Sequence, residues 1–293
     1  MKSDRTILIT GVTGHQGGAV ARALQGGGFH LRGLTRKPES EPAAALAGYG
    51  VEVVQGNLDD AATLRRALAG AWGVFSVQNT WEAGVEGEEA QGKRLATLAR
   101  EAGVEHFVYT SVGSADQRTG VPHFDNKWRI EETVRGLGFP SHVILRPVFF
   151  MENLLAPFTL QGSTLAVALG PGTKLQMIAV DDIGWFGARA FTDAATLNRR
   201  EIDLAGDVRT MPEAAKILTE ALGRPIAYAQ TPIEQVRQYS QDTAVMLEWF
   251  ERVGYRADIA GLEREFGRRL TKLPDWARGH APVAPAGTQG LLA

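Results

Sequence analysis

The stretch "LITGVTGHQGGAVARAL", residues 8–24, constrains the fold of this chain more than any other. An apolar run ends at Thr10, glycines follow at 11, 14 and 17, and a helical pattern starts within the same few residues. Glycines in a G-x-x-G-x-x-G array permit a tight turn and let backbone approach a pyrophosphate, whose charge is favoured by the start of the helix. Thr13, His15 and Gln16 lie inside this loop, and His15 is placed to line a cofactor. The spacing differs from G-x-G-x-x-G, and the alternative is a turn that serves only close packing of helix on sheet.

The loop opens a series. "HLRGLTR" (30–36), "VEVVQG" (51–56), "GVFSV" (73–77), "HFVYTS" (106–111) and "HVILRP" (142–147) read as further strands. Between them, "LDDAATLRRALAG", "GEEAQGKRLATLAREAG" and "HFDNKWRIEETVRGLG" carry apolar residues at helical spacing, the last two ending in glycine. Nearly continuous apolar strands alternating with helices predict an α/β fold, a doubly wound parallel sheet covered on both faces with ligands at the carboxyl ends of its strands. After Pro147 the pattern loosens into Gly/Pro-broken and then mainly helical stretches. The expected division is a dinucleotide-binding domain over 1–150 plus about 175–206, a smaller, mainly helical substrate or partner region over about 151–174 and 207–280, and a frayed tail over 281–293.

Composition narrows the classes of function. The 293 residues are 44% hydrophobic and 22% charged, with a formal charge of −2, which gives no electrostatic reason for a nucleic-acid partner. There is no cysteine, so thiol catalysis and disulfides are excluded, in keeping with a cytoplasmic setting. No secretory signal is read at the N-terminus, and no apolar run approaches the roughly 20 residues of a membrane span. The histidines at 15, 30, 106, 142 and 280 show no metal-ligand spacing, so no metal site is expected.

The second strand bears on cofactor choice. NAD sites place Asp or Glu about 20 residues past the glycines. Here "GLTRKPES" puts Arg36 and Lys37 in that region, which suits a 2′-phosphate and favours NADP(H); a solvated basic turn is the alternative. After the third strand, "QGNLDD" places Asn57 and Leu58 where adenine needs a polar contact and an apolar wall, while Asp59 or Asp60 suits a helix cap. "SVQNTWE" places Gln78, Asn79 and Thr80 near the ribose–nicotinamide end, with Trp81 either covering the site or packed as a loop aromatic.

Taken in order, "GVTGHQGGAVARAL", "TRKP", "VVQGNLDD", "HFDNKWRIEE", "LRPVFFMENLL" and "VDDIG" resemble the NmrA-like family of atypical short-chain dehydrogenases, and "LTKLPDWARGHA" resembles the family's closing helix. The resemblance implies a Rossmann fold and NADP(H) held at the glycine loop, Arg36–Lys37, Asn57–Leu58 and the 78–80 loop. It also implies Lys127 beside the nicotinamide ribose and Phe150, Met151, Glu152 and Asn153 along the cofactor. Some relatives resemble reductases of quinones or other unsaturated compounds; others resemble regulators that read the NADP(H) state for a protein partner.

In short-chain dehydrogenases a Tyr-x-x-x-Lys pair on one helix face lets the lysine lower the phenol pKa, and the phenol gives a proton to the substrate. Here the tyrosine position is His123, four residues before Lys127. An imidazole can replace the acid, can bind a carbonyl without acting as one, or can be structural. Ser111 and Ser114 follow the fifth strand, Ser111 being the better candidate to polarise a substrate, and Tyr109 reads as core. Glu86–Glu89 and Arg268–Arg269 read as solvated faces, and Asp181 or Asp182 as a helix cap. A complete cofactor site beside an incomplete acid pair leads to an NADP(H)-binding redox sensor with weak or no turnover. The rival is an NADPH-dependent oxidoreductase acting on a quinone, enone or similar acceptor. Either would work as a monomer or homodimer without nucleic acid or membrane.

Overall fold

The computed structural model describes residues 5–280; the tail expected over 281–293 lies outside them. Strand β1 (Thr6–Ile9) is enclosed on both faces, with Ile7, Leu8 and Ile9 all at 0% exposure. It is followed by α1 (His15–Leu24), β2 (His30–Thr35), α2 (Glu41–Gly48), β3 (Glu52–Gln55), α3 (Ala61–Leu68), β4 (Ala71–Ser76), α4 (Thr80–Glu101), β5 (His106–Thr110), α5 (Pro122–Gly136) and β6 (Ser141–Pro147). These strands and β11 (Glu201–Leu204) form a seven-stranded sheet in the order β11-β6-β5-β4-β1-β2-β3, every pairing parallel.

Apolar residues divide by sheet face. Val20 and Leu24 of α1, Leu46 of α2 and Ile183, Phe186 and Phe191 of α6 (Val180–Thr192) pack on one face. Leu64 and Leu68 of α3, Leu95 of α4 and Ile130 and Val134 of α5 pack on the other. The fold is therefore the doubly wound Rossmann arrangement that strand patterning predicts. Because α1 and α4 leave β1 and β4 on opposite faces, a crevice opens between the carboxyl ends of those adjacent strands. Thr10 fastens this point: its Oγ1 donates to the Val77 carbonyl (2.9 Å) and accepts from the Val77 N–H (2.8 Å).

The smaller region adds β7 (Phe149–Phe150), β8 (Leu160–Gln161), β9 (Thr164–Val167), β10 (Leu175–Ile178), β12 (Asp207–Arg209), α7 (Met211–Leu222), β13 (Ala227–Gln230), α8 (Ile233–Tyr239), α9 (Gln241–Arg252), α10 (Ile259–Phe266) and α11 (Leu273–Gly279). Its core gathers Met151, Leu165, Met177, Leu218, Trp249 and Trp276. It is mainly helical but carries two three-stranded sheets, β12-β10-β7 and β13-β9-β8. Of the stretch 175–206, β11 joins the large sheet and α6 covers it, whereas β10 pairs with β7 and β12 instead. "IAYAQTPIEQVRQ", expected to be helical, holds strand β13 paired in parallel with β9, and helix resumes only after Pro232. That pairing joins residues more than sixty positions apart, which local periodicity cannot register.

Candidate functional site

The glycine loop closes on itself through the Gly14 N–H, which donates to the Gly11 carbonyl at 2.9 Å. Helix α1 starts there with no capping side chain and no acidic residue in its first turn, so its leading N–H groups are open to an anion. A Cβ at Gly17 would lie 2.4 Å from the Gly11 oxygen and 2.5 Å from the Thr10 oxygen, so helix and strand can approach this closely only with glycine there. The third glycine thus serves packing, and the first two leave a concave backbone turn with Thr13, Gly14 and His15 exposed. Gln16 points inward, its Oε1 accepting from Thr110 Oγ1 at 2.6 Å.

At the far end of the crevice, an open depression of about 640 Å³ is lined by Arg36, Gln55, Gly56, Asn57, Thr63 and Arg66. Two guanidiniums beside polar backbone suit a phosphate dianion. Arg66 went unnoticed in the sequence because nothing local marks a residue in the last turn of α3 as a neighbour of Arg36. Lys37 is exposed and does not line the depression. Arg36 is itself occupied: its Nη2 lies 2.5 Å from Oε2 of Glu82, in the first turn of α4. Asn57 is held by its neighbours, its N–H donating to Thr63 Oγ1 and its Oδ1 accepting from the Asp59 N–H, both 3.1 Å. Leu58 packs against the sheet core, and Asp60 caps α3 through the N–H groups of Ala62 and Thr63.

At the opposite end, Asn79 caps α4 by accepting the Trp81 N–H at 3.0 Å. Gln78 is buried, its Nε2 donating to Ser76 Oγ at 3.0 Å while Oε1 has no partner. Helix α4 is broken at Gly84, whose φ of +73° strongly favours glycine, so the turn bearing Thr80, Trp81 and Glu82 is a separate unit. That unit is anchored by Glu88. This carboxylate, at 0% exposure, accepts from Thr80 Oγ1 and Lys127 Nζ and, at 3.1 Å, from Asn126 Nδ2. The acidic run Glu86–Glu89 is therefore not a solvated face: Glu88 is a buried ion-pair partner, and Glu89 binds Lys93 and Arg129, each at 2.7 Å. Three glutamates within four residues concealed one that α5 covers.

His123 sits at the start of α5 at 7% exposure, its ring 5.5 Å from that of exposed Trp81 and edge-on to Phe124 at 4.8 Å. Its Nδ1 lies 2.5 Å from Oδ2 of Asp242, a residue of α9 that sequence reasoning did not single out. Asp242 Oδ1 also accepts the His123 backbone N–H at 3.0 Å. Nε2 has no hydrogen-bond partner among the described residues. Ser111 is buried with its hydroxyl unpartnered, and Tyr109, at 0% exposure, is core; burial pushes its phenol well above the ordinary range.

The "FMEN" segment divides. Met151 is enclosed in the core of the smaller region and Leu154 beside it, so the Met151 side chain faces away from the crevice. Glu152 Oε1 accepts the Val180 N–H and Trp276 Nε1, each at 3.0 Å, so it caps α6 and fastens α11. Phe150 and Asn153 are half-buried. Because Glu152 covers the start of α6, neither aspartate caps it: Asp181 pairs with Arg22 at 3.2 Å, and buried Asp182 accepts from Arg268 Nη2 (3.3 Å) and the Thr271 N–H (2.8 Å). Arg268 thus ties down buried Asp182 from a partly exposed position, while Arg269 is exposed as expected.

Among the described residues, no cluster of His, Asp and Glu could hold a metal ion, and no helix is long and apolar enough to cross a membrane. The family model described as the NmrA-like family matches residues 3–279. An NmrA-like family domain-containing oxidoreductase of Aspergillus hancockii is 34% identical, covering 97% of this chain and 99% of its own. A (4-alkanoyl-5-oxo-2,5-dihydrofuran-3-yl)methyl phosphate reductase of Streptomyces griseus is 30% identical over 94% and 98% of the two chains. Among solved structures, NmrA, a negative transcriptional regulator in complex with NADP, superposes with a TM-score of 0.78 at 21% identity, covering 94% of this chain and 95% of that one.

Proposed function

We propose a function from one premise: this chain belongs to the NmrA-like family. The reading is an NADP(H)-dependent reductase of a small unsaturated acceptor, a quinone, an enone or a related lactone. The observation that carries it is His123, an imidazole one helical turn before Lys127, with Nε2 free of hydrogen-bond partners among the described residues. The acid position therefore holds a side chain that can carry a transferable ring proton in place of the phenol's. Full-length relatives named as an oxidoreductase and a reductase support the same reading.

The donor set fits a dinucleotide. The uncapped start of α1 and the turn at Gly11–Gly14 would hold the pyrophosphate, Arg36 and Arg66 the 2′-phosphate, and Asn57 and Leu58 the adenine. Gln78, Asn79 and Thr80 would border the nicotinamide half, with Phe150 and Asn153 near it. A bound reduced nicotinamide supplies a hydride. Lys127 keeps ammonium N–H groups beyond the one given to Glu88 and can direct them at ribose hydroxyls. Trp81, beside His123, offers an aromatic face to a planar acceptor. His123 gives a proton from Nε2 to the reduced acceptor and regains one from solvent. Ser111, buried and unpartnered, is available to donate its hydroxyl to an acceptor oxygen.

One observation favours a second reading, a redox sensor. Arg36 is held by Glu82 on the turn that Gly84 separates from the rest of α4, so a 2′-phosphate competing for Arg36 would remove one of that turn's ties, leaving the Thr80–Glu88 anchor, and alter the surface around Trp81.

The test is consumption of NADPH against a panel of quinones, enones and lactones, with product identification, in wild type and His123→Phe. Turnover that falls about 100-fold in the variant is expected for a general acid. Tight NADPH binding with a silent panel would overturn the reductase reading in favour of the sensor.

A further inference from the structure

Resting on the reductase reading, the geometry points to Asp242 as the positioning residue of the proton donor. It is one of the smaller region's own residues, and it fixes which nitrogen of His123 faces the acceptor.

The aspartate makes two separate contacts with His123. Oδ1 accepts the backbone N–H at 3.0 Å, which orients the start of α5. Oδ2 lies 2.5 Å from Nδ1, off the line of a hydrogen bond, in a contact where both side chains are mostly enclosed, at 9% and 16% exposure, so the carboxylate acts on that nitrogen through its charge. Capping does not explain the carboxylate: the start of α9 is already capped by Ser240, whose Oγ accepts the Thr243 N–H at 3.1 Å. Nor can the ring turn freely. Trp81 and Phe124 flank it at 5.5 and 4.8 Å, and Phe124 is fixed in turn against Trp249 at 5.6 Å.

A carboxylate at Nδ1 favours a proton on that nitrogen in both charge states of the ring. In the imidazolium form Nε2 then carries the transferable proton. Once the acceptor has gained a hydride from a reduced nicotinamide, the Nε2–H bond breaks and its proton bonds to the carbanion or oxyanion centre. The neutral ring stays as the Nδ1–H tautomer against Asp242. Hydride and proton together make the two-electron reduced product, and solvent returns the proton to Nε2. The smaller region thereby completes a site whose other members come from the Rossmann domain.

Asp242→Asn separates this role from structure. The amide oxygen can still accept the backbone N–H, but its NH₂ would face Nδ1, favouring the Nε2–H tautomer and opposing the imidazolium. NMR of the imidazole nitrogens in the cofactor-free protein, with His123→Phe identifying the signal, should show the Nδ1–H tautomer in wild type and a switch in Asp242→Asn. On an acceptor that wild type reduces, turnover should fall about 100-fold with NADPH affinity kept, and Asp242→Glu should keep the wild-type tautomer and recover part of the rate. An unchanged tautomer in Asp242→Asn, or undiminished turnover there, overturns the assignment. A wild-type protein silent on every acceptor overturns the reductase reading instead, and the tautomer measurement still decides whether Asp242 sets the ring.

Discussion

Lys127 of α5 and Glu88 of α4 form a buried ion pair, and the same carboxylate holds Thr80 in the turn that leads out of β4. Burial pushes the Glu88 carboxyl up, but the Lys127 charge and the hydrogen bonds of Lys127, Thr80 and Asn126 outweigh it and hold the group below its ordinary 4.5. The lysine therefore has a structural duty alongside any duty toward ribose.

Replacing Lys127 by Met should strand this carboxylate and cost about 3–5 kcal/mol, measured by urea unfolding at neutral pH. Because the folded pKa is depressed, the wild-type pair contributes fully above pH 4.5 and is lost as pH falls through the lower folded value. Lys127→Met should raise the Glu88 pKa, so the variant's deficit should be largest at neutral pH and shrink on acidification as the native state takes up the Glu88 proton. Glu88→Gln combined with Lys127→Met should recover much of the stability while leaving nicotinamide binding impaired, which separates the two duties.

Arg36 is held by Glu82, and in the proposed NADP(H) site a 2′-phosphate would compete for it. Glu82→Gln should tighten NADPH by up to about fivefold, the value of an exposed ion pair near 1 kcal/mol, and leave NADH unchanged. Arg36→Ala and Arg66→Ala should each weaken NADPH about 10- to 100-fold, the range for a charge-assisted hydrogen bond, with little effect on NADH. Titration calorimetry with both dinucleotides reads this directly. Equal losses for the two would refute a 2′-phosphate site at these arginines.

His106 ties the sheet to α6, with Nε2 2.8 Å from the Ala190 carbonyl and Nδ1 2.8 Å from Ser141 Oγ. Burial pushes its pKa down from 6.5 to about 4 despite the bond to Ala190. The unfolded chain takes up this proton first, so stability is full above pH 6.5 and declines between there and about 4. The loss should reach roughly 3 kcal/mol. In His106→Phe, which keeps the stacking on Trp72, stability at neutral pH should be lower and the decline below pH 6.5 shallower. An equally steep decline would mean that other groups set it.

Strand patterning and the glycine loop made the Rossmann sheet legible, because a buried parallel strand is written in consecutive apolar residues. That Arg36 and Asn57 would lie together at the edge of the sheet was legible for the same reason, each falling within two residues of a strand end. The residues that escaped are those whose neighbours are distant in the chain. Asp242 lies 119 positions from His123, and Glu88 lies 39 from Lys127. Glu152 resembled a cofactor contact by its place in "FMEN", yet it caps α6 and binds Trp276, partners that no local pattern could supply.

The proposed reaction delivers a hydride and a proton to an unsaturated acceptor, with His123 supplying the proton. The most direct measurement uses NADPH carrying deuterium in its transferable position, with an enone as acceptor. The proposed reaction should leave deuterium bonded to carbon in the reduced product, formed about 100-fold more slowly by His123→Phe. Reduction without deuterium transfer, or an equal rate in the variant, would contradict it.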